Sequence, residues 1–524
     1  MTAPPVKPVA VLGVGAAAPS LRLAASDVGT AWGSGGGRGT VAVCDADEDT
    51  LTLAWQAANA ALEAAGVTPA EVSGLWWGTA RPPFAEGPSH AFLATTLGLD
   101  RTVAGGLSSG SPHAGMEALL GAWDALAAGH ARVALVVTSD ALVPGLGTTA
   151  ETTTGAGAAA VVLGAIADSA DSAEGPSTNG SSPAARLVAR TTRAMPAVDR
   201  YRADGGGATG DVYDARLFRE EVFVPLLTET GRALSQDAAS PLAAWAIADP
   251  DGKLASAVAK RLGAPLASAP VYGALGDAGA ASALLGLVQA CAGTGSGATG
   301  SGATGSSATG SGATGLFGAI GYGGGRATAV LVDATRPVPG AVGVEQLGAG
   351  RRVGYPEALR ARGQLEPMED PIPMGLPPGG AAFVRGNPEM LGLFGARCRS
   401  CGTISTPPSI HPTCIGCGGD ELEVVALARR GRVQTFVVNQ TMPPPFQAPL
   451  PLVVIDLDDG ARLMVQGSPA DAADLAVGDT VTLSLRRYAL ERGIPVYGFK
   501  AFRVAGAGAT VGSGQDRAAQ EGGR

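Results

Sequence analysis

The sequence lacks any run of basic residues and any apolar stretch long enough to cross a membrane. Lysine and arginine total 37 against 46 acidic residues, which gives a formal charge of -9 over 524 residues. This balance argues against nucleic acid as the main partner, and the glycines that interrupt every apolar run argue against a membrane span. The N-terminal residues also lack the charged start, apolar core and cleavage site of a secretion signal. We therefore expect a cytoplasmic protein that handles a neutral or anionic small molecule.

Cysteine is also scarce, and the few cysteines are unevenly placed. Four of the six form two C-x-x-C pairs, Cys398 with Cys401 and Cys414 with Cys417. The spacing predicts a rubredoxin-like zinc ribbon with a structural ion, because each pair turns two thiolates towards one metal. Two disulfides are the alternative, but a chain without a secretion signal stays where thiols are kept reduced. His411 lies between the pairs and could replace a ligand, although four thiolates already complete the shell.

Short β-type runs follow the cysteines and are separated by turns marked with proline and glycine. These runs are VQTFVVN, LVVIDL, RLMVQG, TVTLSLRRY and IPVYGFKAFRV. Five short strands in a segment of this size predict a small β-barrel of the OB type. OB folds often bind nucleic acid, but the net charge and the few aromatic residues on these strands argue against that role.

The first 335 residues alternate between strand-like and helix-like segments, which predicts a layered α/β domain. Leu51, Trp55, Ala58 and Leu62 recur at helical spacing, and Gly66 stands where a helix C-cap belongs. The scheme then repeats, and two segments match closely: HAGMEALLGA at 113–122 and DAGAASALLGL at 277–287. The α/β unit is therefore predicted to be duplicated.

A duplicated α/β unit of this order resembles the thiolase superfamily over residues 8–335. The segments DEDTLTLAWQAANAALEAAG, LVVTSD and GYGGGRATAVLV are most similar to its 3-hydroxy-3-methylglutaryl-CoA synthase branch. The resemblance implies a five-layer α/β domain and an S-C-x-A-G loop whose cysteine carries the acyl group at a helix N-terminus. This chain reads Ser111-Pro112-His113-Ala114-Gly115 there, so proline takes the position of the cysteine.

The other positions implied by the resemblance are also changed. The general-base histidine of H-x-P-D-G-K becomes Ala248, the glutamate of the G-T/S-E turn becomes Ala80, and the asparagine of G-N-T-G-A-A becomes Asp277. The remaining cysteines, Cys44 and Cys291, are better interpreted as small buried apolar residues. Acyl-cysteine chemistry is therefore predicted to be absent.

His113 and Asp277 are the catalytic candidates that remain. His113 is titratable and adjoins the former nucleophile position, but a lone histidine at a helix start is more often a packing or capping residue. Asp277 could be a general base or the N-cap of its helix. A pair formed by the two would have acid–base potential without a covalent step. Pro112 itself suits the first turn of a helix, because its φ is fixed and it lacks an N–H.

Glycines between the last two predicted strands are candidate substrate contacts. Gly321, Gly323, Gly324 and Gly325 would let a thioester approach the backbone closely and would expose N–H donors. The alternative is that they only close a tight strand turn.

The C-terminal half, over about residues 350–505, resembles acyl-CoA-associated proteins that join a zinc ribbon to an OB fold. The fusion implies a CoA thioester as substrate or ligand. Two function classes stay open. One is an enzyme, a Claisen-type acyltransferase or a retro-aldol lyase, that works without cysteine. The other is a catalytically degenerate subunit that binds acyl-CoA or supports a thiolase-like partner. A homodimer is expected by analogy.

These observations give a predicted domain order. A thiolase-like domain spans 1–335, with halves at about 1–170 and 185–335 and a low-complexity loop at 293–315 that is expected to be disordered. Next come a linker and helix at 336–380, a zinc ribbon at 381–425, an OB fold at 426–505 and a disordered tail at 506–524. The two halves of the first domain are joined by a linker near 177–183.

Overall fold

The computed structural model describes most of the chain, and the chain divides into two compact units. The first contains Met1–Pro377 and Leu490–Val496, and the second contains Pro378–Ala489 and Tyr497–Arg524. The predicted tail, nearly all of the low-complexity loop and nearly all of the segment at 177–183 lie outside the described residues. The described residues are 8–34, 39–166, 183–203, 207–210, 214–236, 238, 240–291, 314–340, 342–365, 387–441, 448–491 and 494–504.

The first half of the α/β unit follows the predicted alternation. Its strands are β1 (Val9–Ala17), β2 (Leu21–Ala24), β3 (Thr40–Val43), β4 (Gly74–Gly78), β5 (Ala104–Ser108), β6 (Val133–Ala141) and β7 (Ala156–Ala165). Its helices are α1 (Ala25–Ala31), α2 (Thr50–Ala65), α3 (Ser89–Thr96) and α4 (Ala114–Ala127), with short 3-10 turns at Pro69–Glu71 and Thr149–Thr152.

The second half repeats the order with fewer strands. They are β8 (Ala185–Ala194), β9 (Leu242–Ile247), β10 (Gly315–Gly323) and β11 (Arg326–Ala334). The helices are α5 (Ala215–Leu217), a π-helical turn (Phe218–Phe223), α6 (Val224–Ser235), α7 (Leu254–Leu262), α8 (Ala269–Leu275), a 3-10 turn (Gly279–Ala281) and α9 (Ser282–Cys291). Helix α10 (Val344–Gly348), strand β12 (Arg351–Val353) and helix α11 (Tyr355–Ala361) follow.

The sheet order shows the duplication. Nine strands run β5-β4-β6-β7-β1-β8-β11-β10-β9, and β1 joins the halves by antiparallel pairing with β8. Helices α4 and α9 pack in the core between the two sets of strands, whereas α2 covers β1 and β7, and α6 covers β8 and β11. This confirms the layered thiolase-like fold predicted from the sequence.

Helix α2 shows why the sequence pattern was informative. Asp49 caps its start by accepting hydrogen bonds from the backbone N–H groups of Leu51 and Thr52, both 3.0 Å long. Gly66 ends it in the left-handed region with φ 64°. The predicted face, including Leu51 and Trp55, is buried.

The segment expected to be a linker and helix contributes to the α/β unit. The helix expected in this segment is α11. Strand β12 extends the small sheet β12-β2-β3 by parallel pairing with β2. The described part of 336–380 is therefore packed against the N-terminal strands.

The second unit contains a short helix and two sheets. Helix α12 (Asn387–Gly392) precedes β13 (Phe394–Cys398), β14 (Ile404–Ser405) and β15 (Leu422–Ala426), which pair in the order β14-β13-β15. The larger sheet, β18-β17-β16-β19-β20, is built from β16 (Arg430–Asn439), β17 (Leu450–Leu457), β18 (Arg462–Gln466), β19 (Thr480–Glu491) and β20 (Ile494–Arg503).

The two ends of the larger sheet approach each other. A parallel bridge joins Gly467, just after β18, to Ala501 on β20, and Ser468 N–H donates to the Ala501 carbonyl at 3.0 Å. Val453 and Ile455 on β17 and Leu485 on β19 are fully buried inside. The result is a nearly closed five-stranded barrel, as predicted for an OB fold.

Among the described residues, none of the helices combines the length and the apolar character needed to span a bilayer.

Candidate functional site

The α/β unit contains a cavity of about 370 Å³. The first half of the unit lines it with Pro112 and with the 3-10 turn at Thr149–Thr152. Among the described residues, the charged groups of the lining all come from the second half: Asp199, Arg200, Asp249, Asp251, Lys253 and Asp277. A volume of this size is typical of a small-molecule site.

The cavity brings together three of the four positions at which the resemblance places family chemistry. Pro112, Ala248 and Asp277 all line it, although they are far apart in the sequence. The fourth, Ala80, is not in the lining, and its backbone N–H donates to Asp140 Oδ1 at 2.9 Å. The structure thus locates one site from positions that were inferred separately.

The turn before α4 includes Pro112, because the helix starts later than the sequence suggested. The helix begins at Ala114, so Pro112 lies in the preceding turn and not in the first helical turn as expected. The Ala114 N–H donates to the Ser111 carbonyl at 3.0 Å, which closes that turn. A proline fits there as expected, because its nitrogen, which has no hydrogen, does not need to donate a hydrogen bond in this turn.

Gly323 is the substrate-contact candidate that lines the cavity. A Cβ atom on it would lie 2.5 Å from the His113 backbone nitrogen and 2.9 Å from Pro112. The end of β10 therefore packs directly against the turn before α4, and only glycine leaves room for that approach.

The other three candidate glycines are placed differently. A Cβ on Gly321 would lie 2.3 Å from Met116 in the core, and one on Gly325 would lie 2.0 Å from the Met195 carbonyl. Gly324 and Gly325 have φ of 56° and 74° and form the turn between β10 and β11. Their positions fit the alternative that they close a strand turn.

His113 does not line the cavity, although its neighbour Pro112 does. Its side chain is fully buried, with Nε2 2.8 Å from Thr328 Oγ1 and Nδ1 3.3 Å from Glu117 Oε1. Glu117 also accepts a hydrogen bond from Arg326. Burial lowers the pKa of His113 and favours the neutral ring. Neither of its ring nitrogens contacts Asp277, so the pair considered from the sequence is not formed.

Asp277 does face the cavity, and both of its oxygens have partners. Oδ2 accepts from Arg200 at 2.6 Å, and Oδ1 accepts from Gly279 N–H at 3.0 Å and from Ser282 Oγ at 2.8 Å. The last two contacts hold the start of the segment that leads into α9, in the manner expected of a capping residue. The ion pair with Arg200 adds charge balance at the cavity wall.

Tyr322 and Asp199 form an acid pair in the cavity lining. Both side chains are more than nine-tenths buried. Among the described residues, the Tyr322 hydroxyl makes no hydrogen bond of normal length, but the Asp199 carboxylate lies beside it and interacts with it. Burial, and then the Asp199 charge, raises the pKa of Tyr322, and burial raises the pKa of Asp199. The lining of the cavity thus holds a phenol donor next to a carboxylate acceptor.

Asp249 is the other cavity carboxyl with a strongly shifted pKa. Burial, together with the neighbouring charge of Asp251, raises its pKa to about 7. Its oxygens accept from the backbone N–H groups of Asp251, Gly252 and Ala255 at 3.2, 2.9 and 3.2 Å. These three bonds hold the loop before α7 and the first turn of that helix in place. Asp249 therefore has a structural role in addition to being a titratable group in the cavity.

Asp140 supports the cavity from the core. It is fully buried at the end of β6, and its carboxylate accepts from Thr79 Oγ1 and from the N–H groups of Ala80, Arg81 and Ala280 at 2.7 to 3.0 Å. Burial raises its pKa to about 6 against the opposing effect of these donors. Asp140 thereby ties a loop of the first half to the turn beside Asp277.

The four predicted zinc ligands form a separate cluster in the second unit. Their ligand atoms all lie within 4.8 Å of one another. The Cys398 and Cys417 sulfurs are 3.7 Å apart, and those of Cys401 and Cys414 are 3.5 Å apart. Four sulfurs about 2.3 Å from one zinc ion would be separated by roughly 3.8 Å. The cluster fits a tetrahedral zinc ion, and the four cysteines are free of disulfides.

Sequence reasoning missed the acid pair of the cavity. Tyr322 lies in GYGGGRATAVLV, and Asp249 lies in the segment that matches H-x-P-D-G-K. The family resemblance assigns chemistry to other positions of these segments and so gives no role to either residue. Asp199 lies outside any recognised motif. Its closeness to Tyr322 depends on the fold, so the sequence carried no signal for the pair.

Comparison with known proteins shows that the second unit contains a known type of OB-fold domain. The family described as ChsH2, C-terminal OB-fold domain, matches residues 424–486. A DUF35 domain-containing scaffold protein of Methanocaldococcus jannaschii is 34% identical over 113 residues, which are 21% of this chain and 79% of that protein. The chain belongs to the DUF35 domain family. The residues that match the OB-fold model begin just before β16 and include most of the barrel.

The α/β unit is similar to hydroxymethylglutaryl-CoA synthases. The enzyme of Pyrococcus horikoshii is 32% identical over 161 residues, and that of Thermococcus onnurineus is 34% identical over the same length. Each match covers 30% of this chain and 46% of the synthase. The chain therefore spans about half the length of the synthases it matches.

Solved structures extend the likeness across the whole unit. MvaS in complex with 3-hydroxy-3-methylglutaryl coenzyme A has a TM-score of 0.54 at 21% identity, covering 71% of this chain and 95% of that one. HMG-CoA synthase complexed with CoA has a TM-score of 0.55 at 15% identity, covering 69% and 92%. At these identities the likeness establishes the fold alone, which is that of the HMG-CoA synthases.

Proposed function

We propose that the α/β unit makes or breaks a carbon–carbon bond next to a CoA thioester by acid–base chemistry without a cysteine. The observation that carries the proposal is the cavity itself. It gathers Pro112, Ala248 and Asp277, has no thiol in its lining, and holds the buried pair Asp199 and Tyr322. The fold shared with proteins solved with CoA or a CoA ester supports the choice of ligand.

The substitutions explain why a covalent route is not proposed. A thiol nucleophile needs a nearby base or positive charge to become a thiolate. Pro112 provides no thiol, and Ala248 provides no base. Cys291 is buried, and its burial raises the pKa of the thiol to about 12. A reaction that needs only proton transfers avoids both losses.

Retro-aldol cleavage of a 3-hydroxyacyl-CoA uses the groups that are present. The Asp199 carboxylate takes the proton of the 3-hydroxyl, the bond between the α and β carbons breaks, and the β carbon becomes a carbonyl. The electron pair remains on the thioester as an enolate, and the Tyr322 phenol protonates its α carbon. The proton then passes from Asp199 to the neighbouring phenolate, which restores both groups.

The raised pKa of Asp199 suits a base, and that of Tyr322 keeps the phenol protonated. Proton transfer is most efficient when the pKa of the acid or base is near the working pH. A carboxylate with a raised pKa is a stronger base, and a phenol with a raised pKa stays protonated until the enolate forms. The same steps in reverse give the aldol direction.

The test is turnover of 3-hydroxyacyl-CoAs by the full chain. Asp199→Asn and Tyr322→Phe should each reduce turnover by about 100-fold or more while ester binding persists. Tyr201→Phe is the matched control, because Tyr201 is 56% exposed and outside the cavity lining. Equal turnover in all three variants would contradict the proposal.

A second candidate is a subunit that binds acyl-CoA or supports a partner without catalysis. The likeness to a DUF35 domain-containing scaffold protein favours it, as does the loss of the nucleophile position to Pro112. It predicts no turnover with any 3-hydroxyacyl-CoA but a higher melting temperature of a thiolase-like partner on mixing. Homodimer formation remains a prediction that light scattering can check.

The four cysteines would hold zinc as a structural ion. A complete set of four thiolates leaves no open position for substrate. Zinc would therefore supply folding stability to the second unit.

A further inference from the structure

Three aromatic rings form one side of the cavity. Phe218, Phe223 and Tyr322 all line it and are nearly or fully buried. The centroid of the Phe218 ring lies 5.8 Å from each of the other two, and those of Phe223 and Tyr322 are 5.1 Å apart. Ala215 and Leu254 continue the apolar lining.

A wide helical turn brings the two phenylalanines together. Residues five apart point about 140° away from each other around an α-helix with 3.6 residues per turn. Phe218 and Phe223 are five apart, yet they lie within a π-helical turn between α5 and α6, and both reach the same cavity. The wider π turn, with bonds from i to i+5, places such residues nearly one above the other.

Pro225 gives a sequence reason for the wide turn. It lies inside the helical stretch, near the start of α6. A proline there has no N–H for the carbonyl four residues earlier, that of Glu221, and its ring clashes with that carbonyl. Widening the turn moves the carbonyl away, and π turns of this kind often occur at functional sites.

We propose that this wide turn is the acyl-binding wall of the cavity and that its ligand is the CoA ester of an apolar acyl chain longer than acetyl. The inference rests on the proposed function, because it takes the ligand to be a CoA ester. Tyr322 connects the two parts of the site: its ring belongs to the aromatic wall, and its hydroxyl lies beside Asp199. A chain that extends from the reacting carbons would pass along the rings.

The cavity has the capacity for such a chain. At about 30 Å³ per group, its volume of about 370 Å³ holds roughly a dozen non-hydrogen atoms. An acetyl thioester fills a small part of that space. Apolar surface of the cavity that remains in contact with water contributes nothing to binding. A longer acyl chain would cover that surface by packing against the rings.

The experiment is calorimetry of the full chain with saturated acyl-CoAs of two to twelve carbons. These esters lack the 3-hydroxyl and are not cleaved, so binding is measured apart from turnover. The affinity should rise about fourfold per added methylene until the cavity is full. Phe218→Ala should shift this limit to longer chains, and Phe218→Trp should shift it to shorter ones.

Leu217→Ala is the matched control, because Leu217 is the neighbouring residue, 58% exposed and outside the lining. It should leave the chain-length profile unchanged. An affinity independent of chain length, or identical profiles for the Phe218 and Leu217 variants, would overturn the acyl-wall proposal while leaving cleavage of short esters open. A normal profile without turnover of any 3-hydroxyacyl-CoA would overturn only the proposed function. Failure of every ester to bind would overturn both.

Discussion

The cavity of the α/β unit and the cysteine cluster of the second unit use opposite chemistry. The cavity has no thiol where the resemblance places a nucleophile, and its most buried ionisable groups are oxygen acids, among them the Asp199 carboxyl and the Tyr322 phenol. The cluster has four thiols, two buried and two exposed, within 4.8 Å of one another. The cysteines of the cluster are placed to bind a metal, whereas carboxyl and phenol groups line the cavity that would hold a ligand.

The difference reflects what each group needs in order to act. A carboxyl or phenol changes its pKa through burial alone, so a closed cavity is enough to tune it. A thiolate is the form that binds metal, and zinc itself stabilises that form. The two sites can therefore be broken separately, and each of the following experiments does so.

Chelation should have the largest effect, and it should be confined to the second unit. Structural zinc in small domains contributes on the order of 10 to 16 kcal/mol of apparent binding energy. Adding a strong chelator to the full chain should raise backbone hydrogen exchange around β13–β15 and in the barrel, and should leave the exchange of α4 and α9 unchanged. Protection of the cysteine region that survives complete metal removal would contradict the structural-zinc proposal.

The pH dependence of stability should report the buried Asp140. Its pKa of about 6 when folded exceeds the value of about 3.9 in an unfolded chain. The folded state therefore holds the proton more tightly, and this stabilisation is full below about pH 4 and lost as the pH rises through 6.

Relative to Asp140→Asn, the free energy of unfolding of the natural chain should fall by about 2 kcal/mol between pH 4 and 7. Urea unfolding of both proteins at each pH gives the difference. A constant difference across this range would show that the Asp140 carboxyl keeps an ordinary pKa.

Gly323→Ala should loosen the contact between β10 and the turn before α4. The new methyl group would meet the backbone of Pro112 and His113, which cannot rotate away. Overpacking of this kind costs about 1 to 3 kcal/mol. Gly106→Ala is the control, because a Cβ there meets nothing within 4 Å, and its free energy of unfolding should change less. Equal losses in the two variants would contradict the close packing.

Pro112→Cys should have the smallest effect, because one thiol does not restore a nucleophilic site. Ala248 still provides no base, and residues that act as a unit lose most of their effect when any one is missing. Incubation with radiolabelled acetyl-CoA should leave no stoichiometric covalent label on this variant or on the natural chain. Labelling of Cys44 or Cys291 in the natural chain would instead contradict the prediction that acyl-cysteine chemistry is absent.

Local patterns carried the predictions that the structure confirms. The helical spacing of Leu51, Trp55, Ala58 and Leu62 depends only on near neighbours, and so does the pairing of cysteines in C-x-x-C. The duplication was also visible, because two copies of one segment can be compared directly. These features determined the layered α/β unit, the barrel and the position of the cysteine cluster.

The acid pair and the aromatic wall could not be predicted in the same way. Asp199 follows β8 and Tyr322 lies on β10, and the strand between them in the sheet, β11, sets their separation. That register is a property of the folded sheet. Phe218 and Phe223 are five apart, a spacing that fits neither an α-helix nor a strand, and only the unusual turn gives it meaning.

The bridge between Gly467 and Ala501 also bears on how the protein behaves in concentrated solution. It pairs the end of one outer strand of the barrel with the other, so less unpaired backbone is left to capture a strand from a second molecule. If loss of the cysteine-bound metal opened this seam, both outer strands would become templates for aggregation. Turbidity of chelated samples would then increase with protein concentration. This result would show that the pairing of Gly467 with Ala501 helps to keep the protein in solution.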